Sequence, residues 1–398
     1  MNLKISGSVI NGEINAIPSK SFAHRILICD FLAGKQIREE FGGFTSKDIM
    51  ATANCLKALR EGESDLNCFE SGSTLRFLIP LCASIGGEFR FFGQGKLMER
   101  PNEELFAVLR QNGVQVEKGA GLIKIKGKLS AGEYKIRGDV SSQYITGLMF
   151  ALSNLDKDSK IILATPLSSK PYVDITLSVL SAYGIEIEQT EYGFLVKGNQ
   201  KYNGTLYPEG DWSNMATYLV LGAVAGDITV KGLNIESVQG DKAVLSVLQS
   251  AGAIVLQDKN KIRVKKSELK GFTFNADACP DLVPVISVLG AVAKGKTEIY
   301  GVERLKIKES DRILSTISML KAFNVKAESD QKSIAIYGGE VKAGKVDSFN
   351  DHRIVMASAI LGALCQEESV IVDAKAVEKS YPTFVKDYLS IGGKAVEL

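Results

Sequence analysis

Six times along this chain a short polar cluster runs into a strongly apolar helical segment, and the starts of those segments lie roughly 50–70 residues apart. They begin near Ser21, Ser73, Ser142, Ser213, Asp281 and Asp351. Segments such as Tyr144–Leu155, Met215–Val224 and Leu282–Ala293 are apolar on nearly every face, which predicts burial inside a domain. A second, amphipathic helix type alternates with them at Pro101–Asn112, Asp174–Tyr183, Asp241–Ala251 and Arg312–Phe323, and less regularly at Lys47–Leu59 and Phe384–Ser390. Gly113, Gly184, Gly252 and Asn324 follow the four regular ones, as helix ends favour, and a short alternating strand comes next. The unit reads as strand, buried helix, strand, amphipathic helix and paired strands. Six such units predict an α/β (α+β) fold of two three-unit domains, which suits a chain of 398 residues. The crossover is expected near Glu209-Gly210-Asp211, and the first strand, Leu3–Ile10, fits either half.

Composition narrows the function. Lys and Arg number 48 against 46 Asp and Glu, so no bulk positive field invites nucleic acid or an anionic membrane surface. Anion binding must come from local clustering. The 6 cysteines form no Cys-x-x-Cys pair and sit in apolar company, and 2 histidines, His24 and His352, are too few for a His-based metal site. No apolar run is long enough to span a bilayer, and Met1-Asn2-Leu3-Lys4-Ile5 does not read as a signal peptide. A cytoplasmic enzyme without metal is the expectation.

The chemistry collects where the helices begin. A helix start offers unpaired N–H groups and the positive end of a dipole, which suit phosphate and carboxylate. Ser19-Lys20-Ser21 with Arg25 adds two full charges there. Glu70-Ser71-Gly72-Ser73-Thr74 with Arg76 has a glycine that lets a ligand approach the backbone. Arg100-Pro101 opens an amphipathic helix after a Gly-rich turn. Ser141-Ser142-Gln143 and Ser169-Lys170-Pro171-Tyr172 supply hydroxyl and amide donors. Asp211 heads a cluster without a basic residue, and capping is its better reading. Asp281 heads an apolar helix, where the helix end favours the carboxylate; a base, a hydroxyl acceptor and a plain cap all fit. Between Arg304 and Arg312 the alternation of Arg304, Lys306 and Lys308 predicts three cations on one face of an extended strand, with Glu309 and Arg312 at the turn into a helix. Asn350-Asp351-His352-Arg353 heads a further apolar helix, and Lys379 is a lone cation near the end. No dinucleotide fingerprint follows a strand, and no nucleotide or redox cofactor is expected.

Taken in order, Ser19-Lys20-Ser21 to Arg25, Ser141-Ser142-Gln143, Ser169-Lys170-Pro171-Tyr172, Lys308-Glu309-Ser310-Asp311-Arg312 and Asp351-His352-Arg353 resemble the motifs of the 5-enolpyruvylshikimate-3-phosphate synthase family, and the resemblance runs nearly the whole chain. It implies an inside-out α/β barrel of βαβαββ units, with domains 18–208 and 1–17 plus 209–398 and the site between them. It implies transfer of the enolpyruvyl group of phosphoenolpyruvate to the 5-hydroxyl of shikimate 3-phosphate by addition and elimination, in a monomer without cofactor. By the same resemblance Lys20, Asp281 and Glu309 are the acid–base candidates. Lys20, Ser21, Arg25, Ser141, Ser142, Gln143, Ser169, Tyr172, Asp281 and Lys308 are expected at shikimate 3-phosphate. Lys20, Gly72, Arg100, Gln143, Arg312, Arg353 and Lys379 are expected at phosphoenolpyruvate, where glyphosate is expected to compete.

The chain departs from the family pattern at Glu70-Ser71, where an Asn is usual, at Phe77 in place of Pro, at Lys306 in place of Arg, and at Arg304 in place of an Asn. Two other readings share the fold. A UDP-N-acetylglucosamine enolpyruvyl transferase carries a reactive Cys ahead of the Arg-Pro pair, whereas residues 93–99 hold none. A non-catalytic anion-binding paralogue does not need Lys20, Asp281 and Glu309, and all are present.

Overall fold

The structure, a computed structural model, describes residues 1–119, 121–330 and 332–398. The chain divides into two compact units, Lys20–Pro208 and Met1–Ser19 with Glu209–Leu398.

The Lys20–Pro208 unit carries helices α1 (Lys20–Leu32), α2 (Lys47–Arg60), α3 (Gly72–Ile85), α4 (Glu103–Gln111), α5 (Ser142–Leu152) and α6 (Lys170–Ala182). Two four-stranded sheets accompany them: Asp65–Asn67, Gly87–Phe92, Leu122–Gly127 and Val114–Gly119 in one, and Glu133–Ile136, Ser159–Leu163, Gly193–Val196 and Ile187–Thr190 in the other. The second unit carries α7 (Trp212–Ala225), α8 (Val244–Ser250), α9 (Val283–Val292), α10 (Arg312–Ala322), α11 (His352–Ala363) and α12 (Phe384–Ser390), with three four-stranded sheets. All five sheets among the described residues share one spatial order. A parallel pair stands at one edge, and two antiparallel strands complete the sheet.

Burial follows the hydrophobic pattern. α5, α7, α9 and α11 are buried along almost their whole length, while α4 buries only Leu105, Phe106, Val108 and Leu109. α3 and α5 approach very closely, and glycine makes this possible. A Cβ on Gly147 would lie 2.4 Å from the Arg76 carbonyl oxygen and 3.0 Å from Pro80 Cγ.

Four local expectations change. The first strand is two: Leu3–Ser6 lies antiparallel between Ser369–Val372 and Lys394–Glu397, and Ile10–Asn15 pairs in parallel with Gly226–Lys231. The helix expected from Asp174 begins at Lys170, because Pro171 is tolerated in a first turn, where its missing N–H has no bond to lose. The helix expected from Asp241 opens as a 3-10 turn, Gly240–Ala243, and becomes α8 only at Val244. The charged strand expected at Arg304–Lys308 is a 3-10 helix, Glu303–Ile307. There Leu305 is buried, Arg304 turns to the carbonyl and carboxylate of Asp277, and Lys306 is exposed, so the three cations share no face.

Candidate active site

In the Lys20–Pro208 unit the starts of α1, α3, α5 and α6 hold the predicted residues. Lys20 opens α1, and its Nζ donates to Asp48 Oδ2 of α2 at 2.7 Å with both side chains mostly buried. Arg25, one turn on, is 3% exposed. Its guanidinium donates to the Ser21 carbonyl at 2.7 Å, the Tyr172 carbonyl at 2.8 Å and Thr176 Oγ1 at 2.8 Å, and it lies over the Phe77 ring. Its hydrogen-bond partners are carbonyl and hydroxyl oxygens, and burial pushes its pKa down to about 9, still charged at neutral pH. A buried cation held by neutral oxygens favours an anionic ligand.

Ser141 caps α5, its Oγ accepting from Gln143 N, and Ser142 begins the helix. Ser169 stands just before α6 with φ 51°, and α5 and α6 are joined by Thr146 and Thr176 at 2.7 Å. Gln143 reaches across to α3, donating to Ser73 Oγ at 2.9 Å, while Arg76 Nη1 donates to its Oε1 at 2.8 Å. Arg76 also donates to Asn102 Oδ1 and the Pro101 carbonyl, so one buried arginine brackets Gln143 and the segment after Arg100. Gly72 is the first residue of α3 and Ser71 is its cap. The Arg100 guanidinium lies over Gly72, with Nη1 2.5 Å from where a Cβ would stand.

In the second unit Asp281, Lys308, Glu309, Arg312 and Arg353 meet around one buried guanidinium. Arg312 donates to Asp281 Oδ1 at 2.6 Å, to Glu309 Oε2 at 2.7 Å and to Asp351 Oδ2 at 2.8 Å. Asp281 also pairs with Lys308 at 3.3 Å and Arg353 at 3.7 Å. Burial alone would raise the Asp281 carboxyl, but Lys308, Arg312 and Arg353 outweigh it and hold the group well below the usual carboxylate range. Asp281 lies in the 3-10 turn Pro280–Leu282, ahead of α9, so these cations, more than a helix end, keep it charged. Lys308 is pushed down by burial, which its pairing with Asp281 only partly offsets. Arg353 donates to the Ser213 carbonyl at 2.8 Å and to Ser213 Oγ. Lys379 Nζ donates to the Asn350 carbonyl at 2.7 Å, beside the α11 cap Asp351. Asp211 caps α7 through Asn214 N at 2.7 Å.

Several residues gain a part that sequence reasoning did not give them. Asp48 is the counter-ion of Lys20, Arg76 is the bracket of Gln143, and Asp351 anchors Arg312. Asp241 is 4% exposed, and its Oδ1 has no hydrogen-bond partner. Burial, then the nearby Asp281 charge, push its pKa up to about 6. Among the described residues no group of three or more His, Cys, Asp or Glu is arranged to hold a metal ion, and no helix is long and apolar enough to cross a membrane.

The fold is that of the enolpyruvyl transferases in two domains. It matches the EPSP synthase of Acinetobacter baumannii with a TM-score of 0.79 at 22% identity over 100% of both chains. It matches the enolpyruvyl transferase NikO of Streptomyces tendae with a TM-score of 0.78 at 14% identity, over 99% of this chain and 98% of that one. The chain belongs to the EPSP synthase (3-phosphoshikimate 1-carboxyvinyltransferase) family, whose model matches residues 61–388. It is 41% identical to the 3-phosphoshikimate 1-carboxyvinyltransferase of Clostridium kluyveri, over 99% of this chain and 98% of the relative. With that of Clostridioides difficile it shares 38% identity, over 100% and 98%.

Proposed function

We propose that the chain transfers the enolpyruvyl group of phosphoenolpyruvate to the 5-hydroxyl of shikimate 3-phosphate, releasing phosphate, as a step of the shikimate pathway toward aromatic amino acids. Full-length identity near two-fifths to proteins of that activity supports it, and the observation that carries it is the charged frame around Asp281. That carboxylate remains an anion at neutral pH, ready to accept a hydrogen bond or proton from a substrate hydroxyl.

The roles follow from the chemistry of each group. Ser141, Ser142, Ser169 and Arg25 bind the shikimate phosphate through hydroxyls, helix-start amides and one buried cation, with Ser21, Gln143, Tyr172 and Lys308 completing that ligand's contacts. Gly72, Arg100, Arg312, Arg353 and Lys379 bind phosphoenolpyruvate, whose charge the cations offset. The 5-hydroxyl attacks C2 while C3 gains a proton. The tetrahedral intermediate then loses phosphate as a proton leaves C3. Lys20, Asp281 and Glu309 carry these protons.

The reading includes a cytoplasmic monomer without a cofactor; the buried, unbridged cysteines support a reducing compartment. Phosphate release from phosphoenolpyruvate, assayed with each acceptor, tests the function. Turnover is expected with shikimate 3-phosphate alone, and equal turnover with UDP-N-acetylglucosamine would overturn the assignment.

A further inference from the structure

We propose that His24, Thr52 and Thr74 are positioning residues, forming a buried one-way chain of hydrogen bonds that ends on Ser71 and holds the start of α3 against Arg100. The functional part of this proposal rests on the reading of Gly72 and Arg100 as phosphoenolpyruvate contacts.

The chain is continuous. His24 Nδ1 lies 2.7 Å from Thr52 Oγ1, Thr52 Oγ1 lies 2.7 Å from Thr74 Oγ1, and Thr74 Oγ1 donates to Ser71 Oγ at 2.7 Å. Ser71 Oγ also accepts from Thr74 N, so the chain finishes on the cap of α3. None of the four side chains is more than 1% exposed.

Proton counting fixes its direction. A hydroxyl has one proton to give. Thr74 spends its proton on Ser71, so Thr52 must donate to Thr74. Thr52 then has none left for His24, and the His24 Nδ1–H must donate to Thr52. A neutral imidazole has one N–H, so Nε2 is bare. In agreement, Nε2 is buried without a hydrogen-bond partner, and the His24 ring stands edge-on to the Phe77 ring. The ring stays neutral because burial, then the charges of Lys20 and Arg25, hold its pKa well below the ordinary value.

The placement gives the chain its purpose. His24 is one turn beyond Lys20 on α1, and Thr52 is one turn beyond Asp48 on α2. The His24–Thr52 bond is therefore a neutral rung directly behind the charged Lys20–Asp48 rung. Thr74 then ties both helices to α3, whose first residue lies under the Arg100 guanidinium. A shift of the α3 start would move its free N–H groups relative to that cation, and small misplacements of binding groups carry large rate and affinity penalties.

The test combines kinetics with nitrogen NMR on the full chain. Thr74→Val, nearly the same shape without the hydroxyl, is expected to raise the KM for phosphoenolpyruvate about tenfold and leave that for shikimate 3-phosphate within about twofold, with Thr74→Ser restoring wild-type values. Thr52→Val is expected to give the same split, with an added loss of kcat through the Lys20 rung. The 15N spectrum, assigned with His24→Asn, is expected to show His24 protonated on Nδ1 and bare on Nε2 from pH 6 to 8. Equal rises in both KM values, no rescue by serine, or the opposite tautomer would each overturn the proposal. Absence of wild-type turnover would refute the functional reading instead, and the tautomer would still report on the chain itself.

Discussion

Arg312 Nε donates to Asp351 Oδ2 at 2.8 Å, and the two side chains are 1% and 0% exposed. Asp351 also caps α11 through Arg353 N at 2.9 Å, so one carboxylate fixes a guanidinium and a helix start together. Removing one partner of a buried pair strands the other charge, which typically costs about 3–5 kcal/mol. Asp351→Ala is expected to lose stability of that order in chemical denaturation. Asp351→Asn keeps the cap acceptor and should lose less. A loss below about 1 kcal/mol for the alanine variant would show that Asp281 and Glu309 suffice to hold Arg312.

Asp241 makes the opposite prediction. Its carboxyl gives up its proton near pH 6 in the fold, against an ordinary 3.8. A raised carboxyl pKa means that the folded state binds the proton more tightly. The associated stability is fully present below pH 3.8 and is lost as pH rises through 6. Asp241→Asn should therefore stabilise the protein by about 2–3 kcal/mol above pH 7, with the gain shrinking to nothing near pH 4. Thermal melts of both proteins across that range provide the measurement, and a pH-independent difference would contradict it.

Gly72→Ala would drive a methyl group into Arg100 Nη1, the far end of a flexible side chain. The fold can yield there, so the melting temperature should change by no more than about 2 °C. The displaced cation is expected to raise the KM for phosphoenolpyruvate about tenfold, with that for shikimate 3-phosphate unchanged. Glyphosate is expected to compete with phosphoenolpyruvate in the wild type and to bind the variant less tightly. Inhibition of equal strength in the two would remove Gly72 from that contact.

Glu309→Gln retains an amide oxygen to accept from Arg312 Nη2, now at 2.7 Å from Oε2, and loses the titrating group. Ligand affinity measured by calorimetry should persist. kcat should fall at least about a hundredfold, the usual worth of a positioned acid or base. Activity near that of the wild type would take the proton-transfer role from this residue.

The parts of the molecule that were legible in its sequence are those with a local signature. The apolar run of α5 behind Ser141-Ser142 and the run of α11 behind Asp351 state both burial and the helix start. Motif order along the chain was enough to indicate the family to which it belongs. Partnerships between distant segments were not legible. Nothing near Lys20 in sequence points to Asp48, and nothing near Gln143 points to Arg76. Charge alternation misled at Arg304–Lys308, where the chain forms a 3-10 turn and Arg304 turns to distant Asp277, a partnership that a two-residue period cannot reveal. Asp241 read only as a helix start, because burial, which gives it its character, is invisible in its neighbours Gly240 and Lys242.

The close approach of α3 and α5 at Gly147 also bears on how such a protein can change. α3 begins at Gly72 and α5 at Ser142, and the gap between those two helix starts depends on one missing methyl group in the helix interior. Any side chain at position 147 would push against the Arg76 carbonyl, and under the proposed function it is expected to alter recognition of both substrates at once while touching neither. In a mutational landscape this glycine would behave as though it lined the site, and variants that retune ligand preference are expected to arise at the helix ends while position 147 stays invariant.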